Sequence, residues 1–220
     1  MPQFRGQELT CIRGERVVFA GLGFALDAGG ALLLKGPNGS GKSSLVRLMA
    51  GLLRPASGVL AWDGEAVWSD PDRHRRRLHY VGHLEAVKPA LTVAENLAFW
   101  CNLHAGQPDR DAVDRGLDAF AITHLTDLPV RYLSAGQKRR LNLARIVATP
   151  ASLWLLDEPA TALDEDAVAR LEDALARHRA GGGMAAVSTH AGLAVEGAEV
   201  VELEQFPARG ALAVAGEGEP

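Results

Sequence analysis

Cysteine is scarce in this chain: 220 residues contain only Cys11 and Cys101, and these form no C-x-x-C pair. Such sparse cysteine fits a reducing, cytosolic compartment best. No apolar run approaches the length needed to cross a bilayer. The first ten residues lack a basic segment followed by an apolar one, so we expect no export signal. There is also no internal repeat.

The chain also has fewer basic than acidic residues. The net charge of -4 argues against a general nucleic-acid binder. Hydrophobic residues make up 47% and charged residues 23%, which is ordinary for a globular protein. A chain of 220 residues suffices for one sizeable core, or for a core with a small subdomain. We interpret the basic run at residues 73–77 as a solvated surface turn rather than a contact with anionic lipid.

The segment at residues 36–43 fits the phosphate-binding pattern G-x-x-x-x-G-K-[ST]. An apolar run at 31–34 precedes it, and Leu45, Leu48, Met49 and Leu52 follow at helical spacing. This strand–loop–helix context favours a phosphate loop over a glycine-rich turn without function. The residues expected to surround the phosphates are Gly36, Pro37, Asn38, Gly39, Ser40, Gly41, Lys42, Ser43 and Ser44.

The residue types explain the chemistry of that loop. Glycines let backbone N–H groups approach anionic oxygens, and the start of a helix adds the positive end of its dipole. Lys42 can reach the β- and γ-phosphates, and the Ser43 hydroxyl can ligate Mg²⁺. The predicted ligand is therefore a nucleotide with Mg²⁺.

Two acids follow a second apolar run, residues 153–156. Asp157 is expected at the carboxyl end of a buried strand, where ligands bind in open α/β sheets, and is predicted to serve Mg²⁺. Glu158 is a candidate general base, or a group that orients the attacking water. The alternative is a pair of solvated acids, which the presence of Lys42 disfavours.

The order of elements predicts an α/β nucleotide-binding core interrupted by helices. Strands are expected at 17–19, 31–34, 59–62, 78–81, 153–156, 184–189 and 200–203. Capping boxes at Thr92/Glu95 and Ser134/Gln137 open helices, and residues from 91 to about 133 are expected to be purely helical. Further helices are predicted at 109–120 and 164–180. We expect one domain over 1–209, with a helical subdomain at about 91–150 and a frayed tail at 210–220.

Residues 133–137, Leu-Ser-Ala-Gly-Gln, resemble the LSGGQ signature of ATP-binding-cassette (ABC) ATPases, with Ala135 at the third position. The phosphate loop, this signature, the two acids and His190 follow in the order of that family. The resemblance implies a P-loop NTPase ABC ATP-binding domain with a RecA-like core, an antiparallel β subdomain and an inserted helical subdomain. It also implies a head-to-tail dimer in which each ATP lies between one subunit's phosphate loop and the other subunit's signature.

The resemblance assigns further roles. Ser134, Gly136 and Gln137 would face the ATP held by the partner, Asp164 would communicate across the dimer, and His190 would contact the γ-phosphate. Two positions depart from the family pattern. His83 stands where a glutamine is usual, and a neutral imidazole can still ligate Mg²⁺ or accept a hydrogen bond from water. Arg13 stands where an aromatic ring stacks on adenine; the alternative is a solvated Arg13, with adenine held elsewhere.

Residues 80–83, Lys88, 91–92, 95–97 and 99–100 are similar to the ATP-binding subunits of bacterial cytochrome c maturation complexes. That similarity implies a peripheral protein at the cytoplasmic face of the inner membrane, bound to integral membrane subunits. It also implies an indirect link to a periplasmic haem chaperone, and no nucleic-acid partner. The alternatives are a subunit of another ABC exporter, or a clamp that dimerises with ATP and turns over little.

Overall fold

A computed structural model describes residues 3–105, 109–189 and 192–207. The predicted tail at 210–220 and the predicted switch residue His190 lie outside these residues. The described strands are β1 (Gln3–Arg13), β2 (Arg16–Asp27), β3 (Ala31–Lys35), β4 (Ser57–Trp62), β5 (Glu65–Ala66), β6 (Leu78–Val81), β7 (Leu153–Asp157), β8 (Met184–Ser188) and β9 (Glu199–Glu202). The described α-helices are α1 (Lys42–Met49), α2 (Pro71–Arg76), α3 (Val93–Ala105), α4 (Arg110–Ala119), α5 (Ala135–Ala148) and α6 (Glu165–Ala180).

A five-stranded parallel sheet, in the order β6-β7-β8-β3-β9, forms the centre of the fold. All residues of β7 and β8 are buried, as expected of parallel strands covered on both faces. Alternate residues of β7 enter different cores: Leu153 and Leu155 pack on the side of α1, whereas Trp154 and Leu156 pack on the side of α5 and α6. The α/β fold class predicted from the order of elements is confirmed.

A second sheet is antiparallel, in the order β2-β1-β4-β5, and packs into the same core as α1. The sequence analysis missed β1 and predicted only residues 17–19 of β2. The pairing of these two strands shifts register three times, and Glu8 adopts a positive φ of 50°. Such bulges interrupt the alternation of apolar and polar residues by which a strand is recognised.

The helices α3, α4 and α5 lie between β6 and β7 in the chain and share one core. Both predicted capping boxes are present: Thr92 N–H donates to Glu95 Oε2 at 2.8 Å, and Ser134 N–H donates to Gln137 Oε1 at 2.9 Å. The prediction that 91–133 is purely helical is wrong. After α4 the chain turns at Ala121, with φ 53°, and continues through two short 3₁₀ turns.

The predicted apolar face of α1 also ends earlier than expected. Leu45, Leu48 and Met49 are fully buried, but Leu52 lies beyond the helix and is 57% exposed. Gly51, with φ 71°, terminates the helix by adopting the left-handed conformation that glycine tolerates. None of the helices in the described part of the chain has the length and apolar composition that crossing a bilayer requires.

The basic run, predicted to be a surface turn, lies mostly in the helix α2, and two of its arginines form ion pairs within the chain. Arg73 pairs with Glu65 at 2.9 Å, and Arg75 pairs with Asp72. His74, in contrast, is buried: Trp62 Nε1 donates to His74 Nδ1 at 2.9 Å, and Nε2 lies 3.0 Å from the Met49 carbonyl. Because the indole can only donate and the carbonyl can only accept, these contacts require the neutral ring with its proton on Nε2.

Burial lowers the pKa of His74 to about 4 from its ordinary 6.5. The unfolded chain therefore takes up a proton as the pH falls below 6.5, while the folded chain does not. We expect this residue to remove about 2 kcal/mol of folding stability between pH 7 and pH 5. Thermal unfolding of His74→Gln, which keeps an acceptor and a donor, should depend less on pH than that of wild type. The exposed His124→Gln should behave as wild type, and equal pH dependence of wild type and His74→Gln would contradict the expectation.

Candidate nucleotide-binding site

Residues 36–41 connect β3 to α1, so the strand–loop–helix context predicted for the phosphate loop is present. Gly36, Gly39 and Gly41 have positive φ values of 142°, 81° and 107°. At Gly41 a Cβ atom would lie 2.6 Å from Val18 Cγ1, so a side chain is excluded by space as well as by conformation. The glycines of the motif are thus required for the loop to form at the start of α1.

Lys42, the first residue of α1, is 6% exposed and holds its ammonium group inside the loop. Its Nζ donates to the carbonyls of Gly36 at 2.8 Å and Pro37 at 3.2 Å. An ammonium group has three donors, and these two carbonyls use two of them. The geometry therefore concentrates positive charge where the amide-lined loop would hold phosphate oxygens.

Asp157 is the last residue of β7, and its buried carboxylate meets the start of α1. Ser43 Oγ donates to Asp157 Oδ1 at 2.9 Å, across 114 residues of sequence. The two residues predicted to serve the metal are therefore brought together by the fold. In the described part of the chain, the other oxygen, Oδ2, is buried and accepts no hydrogen bond.

This donor set fits Mg²⁺. A hydroxyl and a carboxylate are hard oxygen ligands, and a buried carboxylate oxygen without a donor calls for a positive partner. Within the described residues no cluster of three or more His, Cys, Asp and Glu could hold a metal on its own. Mg²⁺ is usually held by one or two carboxylates together with substrate phosphates and water, so such a cage is not needed.

Glu158 follows Asp157 in a conformation that residues other than glycine rarely adopt, with φ 50°. Its N–H donates to both the carbonyl and the hydroxyl of Ser188, at 3.1 and 3.0 Å. Its carbonyl accepts a hydrogen bond of 2.7 Å from Arg139. These bonds fix the backbone turn after β7. Because of this turn, the side chains of Asp157 and Glu158 leave the backbone in different directions.

A cavity of about 370 Å³ joins the phosphate loop, Glu158 and the turn between β1 and β2. Arg13 and Arg16 face each other across that hairpin, and both line the cavity. Arg13, the predicted adenine contact, therefore lines the same cavity as the phosphate loop, together with a second arginine that the sequence analysis did not name. The lining residues are Arg13, Arg16, Val18, Asn38, Gly39, Gly41, Lys42, Ser43, Ser44 and Glu158.

The signature residues form a separate site at the start of α5. Ser134, Gly136, Gln137 and Asp164 line a second cavity, of about 340 Å³, which shares no lining residue with the first. Ser134 caps the helix by accepting from Gln137 N–H at 3.2 Å, so the positive end of the helix dipole lies at this cavity. The phosphate loop and the signature of one chain thus line two separate cavities.

Arg140 joins the signature helix to the segment before α6. Its guanidinium bonds to Asp164 at 2.6 Å and to Asp166 at 3.3 Å. The pKa of Asp164 is lowered, chiefly because its carboxylate caps α6 by accepting from Ala167 N–H, and further because Arg140 lies beside it. A negative charge at Asp164 is therefore favoured in the folded chain.

His83 is exposed, two residues after β6, and does not line the phosphate cavity within the described residues. Four further residues of the two sites were missed by sequence analysis: Arg16, Arg139, Arg140 and Ser188. For Arg139, Arg140 and Ser188 the signals in the sequence were two arginines after the signature and one hydroxyl closing an apolar strand. The partners of these three residues are distant in sequence, so such signals indicate no role by themselves.

The comparisons with known proteins agree with this geometry. Residues 19–161 match the family model described as ABC transporter. The chain belongs to the ABC transporter family of ATP-binding proteins. Two relatives carry the name cytochrome c biogenesis ATP-binding export protein CcmA. The protein from Paramagnetospirillum magneticum is 58% identical over 92% of this chain and 94% of its own length. The one from Rhodospirillum rubrum is 59% identical over 92% of this chain and 86% of its own length.

Solved structures of ABC ATP-binding proteins share the fold. A putative ABC transporter ATP-binding protein from Pyrococcus furiosus has a TM-score of 0.82 at 19% identity, covering 93% of this chain and 98% of its own. The structure of cbiO1 from Clostridium perfringens, part of the ABC transporter complex cbiONQ, has a TM-score of 0.71 at 25% identity, covering 86% and 78%. The predicted ABC ATP-binding fold is confirmed, and the chain is an ATP-hydrolysing ABC subunit.

Glu158→Gln tests the assignment of the base. Because the amide cannot accept a proton, we expect ATP turnover to fall by about 10²–10⁴-fold. ATP should then remain bound and hold two copies together, which size-exclusion chromatography with light scattering would detect. Glu199→Gln, an exposed acid in β9, serves as the matched control and should turn over ATP as wild type. Undiminished turnover by Glu158→Gln would exclude this residue as the base.

Proposed function

We propose that this chain is the ATP-hydrolysing subunit of an ABC complex for cytochrome c biogenesis. The observation that carries the proposal is the 58–59% identity, over 92% of the chain, to relatives named for cytochrome c biogenesis. The residues of the ATP site support the enzymatic part, because the phosphate loop, Lys42, Ser43 and Asp157 converge at the carboxyl ends of β3 and β7.

In the proposed mechanism the loop amides and Lys42 hold the β- and γ-phosphates, and Arg13 stacks on adenine. Ser43 and Asp157 would hold Mg²⁺, which when bound would neutralise charge on the phosphates. His83, the third ligand predicted from the sequence, does not line the phosphate cavity in the part of the chain that the structure describes, so the proposed mechanism gives it no part in holding the metal. Glu158 accepts the proton of the attacking water, and His190 contacts the γ-phosphate. Water exclusion by the closed site strengthens each of these electrostatic contacts.

We further propose a head-to-tail dimer with two ATP molecules in its interface. The signature half-site at the start of α5 is separate from the phosphate cavity of its own chain, which supports completion of each site by a second copy. Ser134, Gly136 and Gln137 would then present the helix dipole to the γ-phosphate held by the partner, and Asp164 would lie at the interface. Loss of the γ-phosphate on hydrolysis removes that contact and reopens the dimer.

The dimer would act on integral membrane subunits at the cytoplasmic face of the bacterial inner membrane. The segment from His83 through the helices α3 to α5 is the part of the chain proposed to transmit the motion. The complex would either export haem or release a haem-loaded periplasmic chaperone. The membrane subunits, rather than this chain, would determine which of the two is handled.

Deletion of the gene tests this role. We expect the deletion strain to lose covalent haem staining of its c-type cytochromes, and a wild-type copy to restore it. Glu158→Gln should fail to restore the stained bands, whereas Glu199→Gln should restore them, with equal amounts of each variant verified by immunoblot. Unchanged bands in the deletion strain would refute the role in cytochrome c biogenesis. Full complementation by Glu158→Gln would refute the motor and favour an ATP-dependent clamp with little turnover.

A further inference from the structure

Ser188 closes β8, a strand whose other residues are apolar and buried, and it is itself 0% exposed. Its place in the sheet is between the two strands that carry the ATP chemistry. On one side it pairs with Leu34 of β3, one residue before the strand's end and two before the phosphate loop. On the other side it pairs with Asp157 of β7. A hydroxyl at this position lies at the centre of the site without lining the cavity.

The hydroxyl of Ser188 makes two hydrogen bonds, and both reach residues of the predicted chemistry. It donates to Asp157 Oδ1 at 2.7 Å and accepts from Glu158 N–H at 3.0 Å. A buried hydroxyl must find partners, but a carbonyl of a neighbouring turn would serve that need equally well. The two hydrogen bonds of Ser188 instead join the Asp157 carboxylate, which is predicted to hold Mg²⁺, to the backbone of Glu158, the predicted base.

Two hydroxyls therefore share one oxygen of Asp157. Ser43 Oγ donates to Oδ1 at 2.9 Å from one side and Ser188 Oγ at 2.7 Å from another. Two donors on Oδ1 restrain rotation of the carboxylate, and its other oxygen, Oδ2, accepts no hydrogen bond in the described part of the chain. Ser43 is itself a predicted Mg²⁺ ligand, so Ser188 is the donor to Asp157 that is not predicted to bind the metal.

The same hydroxyl supports the strained turn at Glu158. With φ 50° this residue holds a conformation that persists only where its surroundings enforce it. The N–H of Glu158 is shared between the Ser188 carbonyl and hydroxyl, which fixes the direction in which the chain leaves β7.

We infer that Ser188 is a positioning residue that orients the Asp157 carboxylate toward Mg²⁺ and holds the backbone of Glu158 in place for water activation. This inference deepens the proposed ATPase function and rests on it. Removal of such a supporting donor typically costs 10–100-fold in metal affinity or activity. The phosphate loop amides and Lys42 do not depend on Ser188, so ATP affinity should change little.

The test measures metal binding separately from turnover. In the full chain carrying Glu158→Gln, which retains ATP, electron paramagnetic resonance of free Mn²⁺ gives the dissociation constant of the metal in the ATP complex. Adding Ser188→Ala should raise that constant about tenfold or more, and Ser188→Thr, which keeps the hydroxyl, should restore it. Thr149→Val is the matched control, because it also removes a buried, hydrogen-bonded hydroxyl. Thr149 caps the C-terminal end of α5 and, within the described residues, does not line the phosphate cavity.

With Glu158 intact, Ser188→Ala should also lower kcat by about tenfold or more while the KM for ATP stays within about twofold. Unchanged Mn²⁺ binding in Ser188→Ala would overturn the inference, as would equal weakening by Thr149→Val, since that would indicate general loosening of the fold. Thermal unfolding midpoints identify a variant that is merely destabilised. Absence of ATP turnover in wild type would count against the proposed function, while the Mn²⁺ measurement would still decide the role of Ser188.

Discussion

The hydrogen bonds of the buried Arg139 guanidinium hold together the parts of the molecule that carry its chemistry. Arg139 lies on α5 and donates to the carbonyls of Asp157, Glu158 and Pro159, at 3.2, 2.7 and 3.1 Å, and to that of Gly82 at 3.0 Å. These carbonyls stand at or beyond the ends of β6 and β7, where the sheet supplies no further donors. The planar fork of a guanidinium can serve several carbonyls at once, and a lysine in its place could not do so with the same geometry.

The charge of Arg139 is costly in this position, and nearby acids offset the cost. Burial lowers the pKa of Arg139, whereas Glu85, Asp157 and Glu158 favour its charged form. Glu85 lies 3.7 Å from the guanidinium, and burial raises the pKa of that carboxyl while Arg139 lowers it. Only Arg139 is buried in this pair, so removing Glu85 would leave a buried positive charge with fewer acids to compensate it. The loop that carries His83 and Glu85 is held by this pair to the same helix as the signature.

Short-range patterns in the sequence predicted most of the elements that position the site. The glycine pattern at 36–41, the capping box of Ser134 and Gln137, and the apolar strand before Asp157 each express a short-range rule, and each appears in the structure as expected. The sequence did not predict the bulged β1 or the irregular chain after Ala121, because the apolar residues there follow no simple period. The roles of Arg139 and Ser188 were not predicted for a different reason. Their hydrogen-bond partners lie far away in sequence, and only the fold brings them together.

The position of Arg139 on α5 suggests how the two half-sites of one chain are connected. The helix begins at Ser134, which in the proposed dimer meets the ATP of the other subunit, and Arg139 lies little more than one turn further along. In that proposed dimer, a shift of α5 along its axis would change the contact with the distant ATP and the hydrogen bonds to Glu158 and Gly82 together. Nucleotide at one site would then be coupled to the geometry of the predicted base at the other site through the buried Arg139 side chain.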